Sequence, residues 1–206
     1  MSSLIEAIAT QKSLLIQQRR ELAELIGFET RNKYEIRSES EMVIGFAAEQ
    51  QKGILGFLFR HFLGHWRSFE VHVFDNQRQL AFVAKHPFRF FFQRVEVYSP
   101  TGHLLGSLQQ RFAIFSKKFD VTGARHELLF EMRSPLWRLW TFKFLREGQE
   151  YARIEKKWAG LLSEAFTDKD LFRVMFSNPS LNSDEKALLL CAAIFIDLNY
   201  FEHKAG

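Results

Sequence analysis

From about residue 28 to residue 176, apolar and polar residues alternate with period two, broken by turn residues roughly every 8–12 positions. Phe69, Val71 and Val73 alternate with Glu70 and His72, and Val95 and Val97 with Arg94 and Glu96. Leu128, Phe130 and Met132 alternate with Glu127 and Glu131, and Trp140, Phe142 and Phe144 with Thr141 and Lys143. Further strands fit 34–37, 42–48, 78–84, 103–110, 115–121, 150–157 and 170–176. So many half-buried strands predict an all-β-dominated antiparallel fold, a barrel or a sandwich.

Two segments carry the helical period instead. Residues 13–27 read as an amphipathic helix, with Ser13 as N-cap, Leu15, Leu22 and Ile26 on one face, and Gly27 as its stop. This sets 1–27 apart as an N-terminal amphipathic helical segment before a barrel domain spanning 28–206. The second helix covers 183–202. Asn182 or Ser183 caps it, and Asp184 and Glu185 favour its positive dipole end. From Ala187 to Ile196 it is apolar nearly all round, so protein or lipid must enclose it. Asp197 and Asn199 interrupt a run already shorter than the ~20 residues a bilayer requires. A carboxylate deep in lipid costs about 2.5–3.5 kcal/mol even on a gentle scale. Inside a barrel, Asp197 finds a hydrogen-bonding partner near the rim. The helix is therefore expected as the buried centre of a closed barrel.

In a simple up-and-down meander, alternate connections fall at opposite ends. One set is short and polar: residues 38–41, 75–77, 100–102, 122–125 and 147–149. The other set is rich in large apolar residues with basic residues within or beside them: 53–66, 86–92, 111–115, 133–140 and 159–166. On a helical plot, 53–66 gives a wide apolar arc containing Ile54, Leu55, Leu58, Phe59, Phe62, Leu63 and Trp66, with Arg60 and His61 on the other side. Phe and Trp interspersed with Arg is the composition of an interfacial membrane segment. The expected lipid contacts are Ile54, Leu55, Phe57, Leu58, Phe59, Arg60, Phe62, Leu63 and Trp66, then Phe88, Arg89, Phe90 and Phe91, then Trp137 and Arg138. Segments 111–115 and 159–166 are read instead as plugs folded back over the barrel mouth.

Composition sharpens this picture in two places. The chain has 206 residues, 47% of them hydrophobic, which fits one domain with a sizeable core. Its 23 Phe against 4 Tyr and 4 Trp imply a thick core, a greasy surface, or both. A formal charge of +4 suits an anionic membrane or nucleic acid, and is also common among plain soluble domains. One cysteine, Cys191, excludes an internal disulfide framework; a reducing compartment is the natural reading, and residues 1–10 lack a secretory pattern. The expected location is cytoplasmic, with peripheral membrane association.

Catalytic motifs are missing: there is no P-loop, no strand-anchored GxGxxG, no GxSxG and no HExxH, so no enzyme activity is expected. His61 and His65 have i, i+4 spacing without a third ligand nearby, and are read as interfacial or solvated. Cys191, among apolar neighbours, reads as an inert core thiol. The pairs Arg19-Arg20, Lys117-Lys118 and Lys156-Lys157 read as solvated faces rather than a nucleic-acid track.

The segment Arg153-Ile154-Glu155-Lys156-Lys157-Trp158-Ala159-Gly160-Leu161-Leu162, running into Glu164-Ala165-Phe166-Thr167-Asp168-Lys169-Asp170, resembles the block "I-x-K-x-W-x-G … E-A-F-T-D-x-D" of the phospholipid scramblase family, within the Tubby-like superfamily. Gly27 to Thr30, Asn32 to Ile36 and Phe46 to Glu49 resemble the start of that family's domain, and Ile196-Asp197 with Phe201-Glu202 its end. The resemblance covers roughly residues 13–202. It implies a twelve-stranded antiparallel barrel around a central C-terminal helix, membrane association, and phospholipid movement between leaflets.

Two departures stand out. The family's cysteine clusters for fatty acylation, near 49–66 and 87–92, are replaced by Phe, Leu and Trp, which suggests noncovalent aromatic insertion in place of lipid anchors. The family's calcium segment begins at Asp168 and Asp170, but Phe172, Val174 and Phe176 take the next alternate positions and Pro179 the place of a closing acid. A calcium loop needs six or more oxygens, so Asp168 reads as stabilising a turn and no cofactor is expected, with calcium the one candidate. The functional expectation is a peripheral protein that binds anionic phospholipid membranes and moves phospholipids bidirectionally between leaflets. The alternative is a nucleic-acid-binding, transcription-associated or protein-scaffold module on the same fold.

Overall fold

The computed structural model describes residues 3–19, 32–50, 68–89, 91–135, 137, 140–157 and 171–201. Helix α1 (Ser3–Thr10) is followed by strands β1 (Ser13–Gln18), β2 (Lys33–Arg37), β3 (Val43–Gln50), β4 (Phe69–Asp75), β5 (Leu80–His86) and β6 (Arg94–Tyr98). Next come β7 (Leu104–Arg111), β8 (Ser116–Gly123), β9 (Leu128–Pro135), β10 (Thr141–Arg146), β11 (Gln149–Lys157) and β12 (Leu171–Phe176), followed by helix α2 (Ser183–Tyr200). The strands form a closed antiparallel barrel in meander order, sealed where β1 pairs with β12. Closure leaves no sheet edge among these strands, which removes the usual template for strand-to-strand aggregation.

Strands β2 to β12 all correspond to segments expected from alternation. The helix expected over 13–27 is corrected in its described part: Ser13–Gln18 is β1, a helix lies earlier at 3–10, and 20–27 fall outside the described residues. The physical reason is burial on both faces. Leu14 and Ile16 point into the barrel, yet Leu15 on the outer face is also buried, so the apolar run hides the period of two. The first residues are thus not an appendage; β1 completes the barrel wall between β2 and β12.

Helix α2 fills the barrel. Every residue from Glu185 to Leu198 is buried. Around it pack inward side chains from each wall, including Ile36, Val73, Phe82, Val97, Leu108, Val121, Phe130, Phe144, Ile154 and Val174. Its start is fixed by a capping box. The Asn182 side chain accepts from the Glu185 N–H at 2.9 Å, and the Glu185 carboxylate accepts from the Asn182 N–H at 3.0 Å. Glu185 also pairs with Arg146, whose guanidinium lies 4.5 Å from the Tyr151 ring centroid and 4.7 Å from that of Phe130. Near the other end, Tyr34 donates to the Asp197 carboxylate at 2.8 Å, the partner expected inside a barrel. Among the described residues, no helix is long and apolar enough to cross a membrane.

The two ends of the barrel differ. At one end the connections are tight hairpins, each with a residue at positive φ: Glu41, Arg78, Gly102, His126, and Glu147 with Gly148. Helix α1 packs here through Leu4, Ile5 and Ile8. Ser3 donates to Asp75 at 2.6 Å, and the Lys186 ammonium donates to the Ala9 and Gln11 carbonyls at 2.6 and 2.8 Å. At the opposite end lie the longer connections and the C-terminal turn of α2.

Candidate functional site

Alternation dictates which side chains reach this second end on each face of the wall. On the connections themselves, Phe88, Phe91 and Phe92 follow β5, Phe112, Ile114 and Phe115 follow β7, and Trp137 follows β9. All seven are exposed, Phe91 at 81% and Trp137 at 78%. The hairpin end exposes only Met42, Val43 and Leu128 among large described apolar residues, and no aromatic. Arg89 and Arg111 are exposed beside the aromatic connections, Arg111 paired with Asp120 at 2.7 Å.

The plug reading of 111–115 is corrected. Phe112, Ile114 and Phe115 are 72%, 67% and 74% exposed, so this hairpin stands away from the barrel. Only residues 112–115 link β7 to β8, too few for these side chains to fold back over the mouth. His86 differs as well: it closes β5 as a core residue, stacked on Phe69 at 4.5 Å and packed near Phe195. Of the expected contacts, Phe88, Arg89, Phe91 and Trp137 are brought to one end of the molecule. Ile54, Leu55, Phe57, Leu58, Phe59, Arg60, Phe62, Leu63, Trp66, Phe90 and Arg138 lie outside the described residues. So do 159–166, His61, His65, Asp168 and Asp170. Phe172, Val174 and Phe176, which follow the two acids in sequence, face inward and are buried in the core.

Inside the same mouth sits a layer of polar side chains. Gln18 donates to Asn32 at 3.1 Å and Asn32 to Glu49 at 2.6 Å, both Asn32 and Glu49 being buried. Ser134 donates to the Thr141 carbonyl at 2.7 Å. The basic-pair reading is corrected for two lysines. Lys117 lies on the inner face with Phe119 and Val121, and its ammonium stands 4.2 Å from the Tyr200 ring centroid. Lys156 shares the inner face with Ala152 and Ile154, 3.9 Å from the Phe201 ring centroid. Ammonium over aromatic faces is a favourable electrostatic contact of about 0.5–2 kcal/mol. Phe201 stacks on Trp140, which fixes the last turn of α2 at this end.

Burial pushes the Tyr200 phenol well above its ordinary pKa, so it stays neutral at physiological pH. The Cys191 thiol, deep in α2, is also pushed up by burial, as the inert-thiol reading requires. Among the described residues, no group of His, Cys, Asp and Glu is arranged to hold a metal ion.

A model of the scramblase family matches residues 1–203 of this chain. Phospholipid scramblase 2 of Bos taurus is 31% identical, the match covering 98% of this chain and 72% of the bovine protein. Phospholipid scramblase 1 of Homo sapiens is 30% identical over 96% of this chain, which spans 65% of the human protein. A solved protein from Arabidopsis thaliana superimposes with a TM-score of 0.53 over 97% of this chain and 99% of its own, at 10% identity, a likeness of fold. With the family match running from the first helix through the buried last one, this chain belongs to the scramblase family.

Proposed function

We propose that this protein binds anionic phospholipid membranes peripherally, on the cytoplasmic side, and moves phospholipids in both directions between leaflets. The observation that carries the reading is the gathering of Phe88, Phe91, Phe92, Phe112, Ile114, Phe115 and Trp137 at one barrel end. Full burial of one such side chain is worth roughly 1.5–3 kcal/mol, so partial insertion of several holds a domain at a bilayer. Arg89 and Arg111 add about 1 kcal/mol each beside an anionic leaflet. The relatives named phospholipid scramblases support the transport half of the reading. Segment 54–63, with its aromatic and leucine content, belongs to the same contact surface in this proposal.

Co-sedimentation with phosphatidylserine-containing vesicles over a range of salt tests the docking. The Phe91, Phe112, Phe115 and Trp137 quadruple alanine variant is expected to lose at least about a hundredfold in affinity. Deleting 54–63 is expected to weaken binding further. Wild-type binding should keep a salt-resistant part, because aromatic insertion is not screened. A log-linear fall to nothing with salt would instead indicate a purely electrostatic, nucleic-acid-like mode. Undiminished binding by the quadruple variant defeats the docking surface. A leaflet-exchange assay on the lipids that bind then tests transport.

A further inference from the structure

Behind the exposed connections, between the last turn of α2 and strands β6, β7 and β8, lies an open cavity of about 390 Å³. That is within the roughly 300–1,000 Å³ range of small-ligand pockets. Four aromatic side chains wall it: Phe91, Phe92, Phe119 and Tyr200. Its polar lining is three neutral amides, Gln93, Gln110 and Asn199. None of the seven lining residues carries a formal charge.

Three features mark this as a site rather than a packing fault. Gln93 is 7% exposed, and its side-chain Oε1 is buried without a hydrogen-bond partner. Its backbone is satisfied: its carbonyl accepts from the Gln110 N–H at 2.8 Å, and its N–H donates to the Gln110 side chain at 3.1 Å. A buried acceptor left open beside a cavity calls for a donor that the protein does not supply. Next, Phe92 holds φ at +53°, a conformation costly for a bulky side chain. The Gln109 side chain donates to the Phe92 carbonyl at 3.0 Å and helps hold it there. Finally, the Lys117 ammonium stands over Tyr200, so a positive charge sits beside one wall.

The chemistry of the ligand follows from the lining. Among the described residues, the aromatic and amide lining itself carries no cation for a purely anionic group. Aromatic faces with an open amide oxygen suit an ammonium. A phosphate linked to that ammonium would lie toward Lys117. We propose that this cavity receives the amine-bearing headgroup of a zwitterionic phospholipid, with its ammonium against the aromatic walls and Gln93, and its phosphate toward Lys117. This deepens the membrane reading and rests on it for the source of the lipid. The anionic leaflet holds the domain while the mouth takes a headgroup out of the bilayer plane.

Short-chain lipids below their micelle concentration separate the cavity from the docking surface. The full chain is titrated with dihexanoyl phosphatidylethanolamine, whose primary ammonium can donate to Gln93, and with dihexanoyl phosphatidylglycerol, and calorimetry reads the binding. Saturable one-site binding of the ethanolamine lipid is expected, at least about tenfold tighter than the glycerol lipid. Gln93→Leu and Lys117→Met should each weaken the ethanolamine lipid by about tenfold. Lys117→Met guards against misfolding of the buried variant, because Lys117 is only half-buried. Equal affinity for the two lipids, or full affinity in both variants, overturns the proposal. Vesicle binding without any short-chain binding overturns it too, while leaving the docking surface standing. Ethanolamine-lipid binding that persists when vesicle binding fails supports the cavity and removes the docking reading.

Discussion

At the scale of single residues, glycines in the wall and in the turns answer different constraints. A Cβ on Gly106 would sit 2.3 Å from the Thr122 carbonyl oxygen and 2.8 Å from a Leu188 methyl, so β7 approaches both its neighbour and α2 too closely for a side chain. A Cβ on Gly102 would meet nothing, but its φ of +85° disfavours L side chains. Gly106→Ala is therefore expected to destabilise the barrel by about 1–3 kcal/mol, because both obstacles belong to packed elements. Gly102→Ala should cost about 1–2 kcal/mol through backbone conformation alone. Denaturant midpoints measured with unchanged m-values check the pair; a neutral Gly106→Ala would mean that α2 moves more freely than its packing suggests.

At the scale of elements, α1 depends on the helix it meets. An eight-residue helix is marginal on its own, so its stability comes from Leu4, Ile5 and Ile8 on the barrel end and from Lys186 at its C-terminal carbonyls. Burial lowers the Lys186 pKa from its ordinary value. The folded chain then gives up this proton more readily than the unfolded chain does. Stability relative to Lys186→Met should therefore rise as pH goes from the depressed folded value toward the ordinary lysine value near 10.5. Thermal midpoints of both proteins at about pH 8 and about pH 10 read the sign. A difference that falls over this window would show that charge on Lys186 favours the docked α1 more than burial penalises it.

The sequence showed these elements unevenly. Strands with one wet face were legible because inward and outward residues differ in kind, as in β4 and β6. β1 was not, since Leu15 is covered on the outside and the alternation vanishes. The inner lysines were legible in principle: counting by twos back from Val121 and Phe119 puts Lys117 inside, and from Ala152 and Ile154 puts Lys156 inside. Gln93 and Gln110 follow by the same parity from Val95 and Leu108. Adjacent charged residues lie on solvated faces far more often than inside a barrel, so the lysine pairs alone point outward.

For the whole molecule, the buried position of α2 makes a claim about exposure. Cys191 lies at its centre, 2% exposed, with its thiol held protonated by burial. Labelling by a thiol reagent should then proceed only through global unfolding, its rate tracking stability across the Gly106 and Lys186 variants. Membrane-bound protein should likewise be released by alkaline carbonate. Fast labelling in native buffer, or retention with integral proteins, would show that α2 leaves the barrel.

The chain's own pattern determined strands β2 to β12, the all-apolar last helix and the sorting of polar and aromatic connections. These are local properties, written in the period of two or 3.6 and in the turn residues between. Only the tertiary structure decided that β1 and β12 seal the wall, that Tyr34 meets Asp197 across 163 positions, and that 111–115 points outward. It alone gathered Gln93, Phe92 and Tyr200 around one cavity and set Lys117 over Tyr200. Those contacts join segments far apart in the chain. They exist only once the barrel has closed around α2, and no local period encodes where a closed surface brings its ends together.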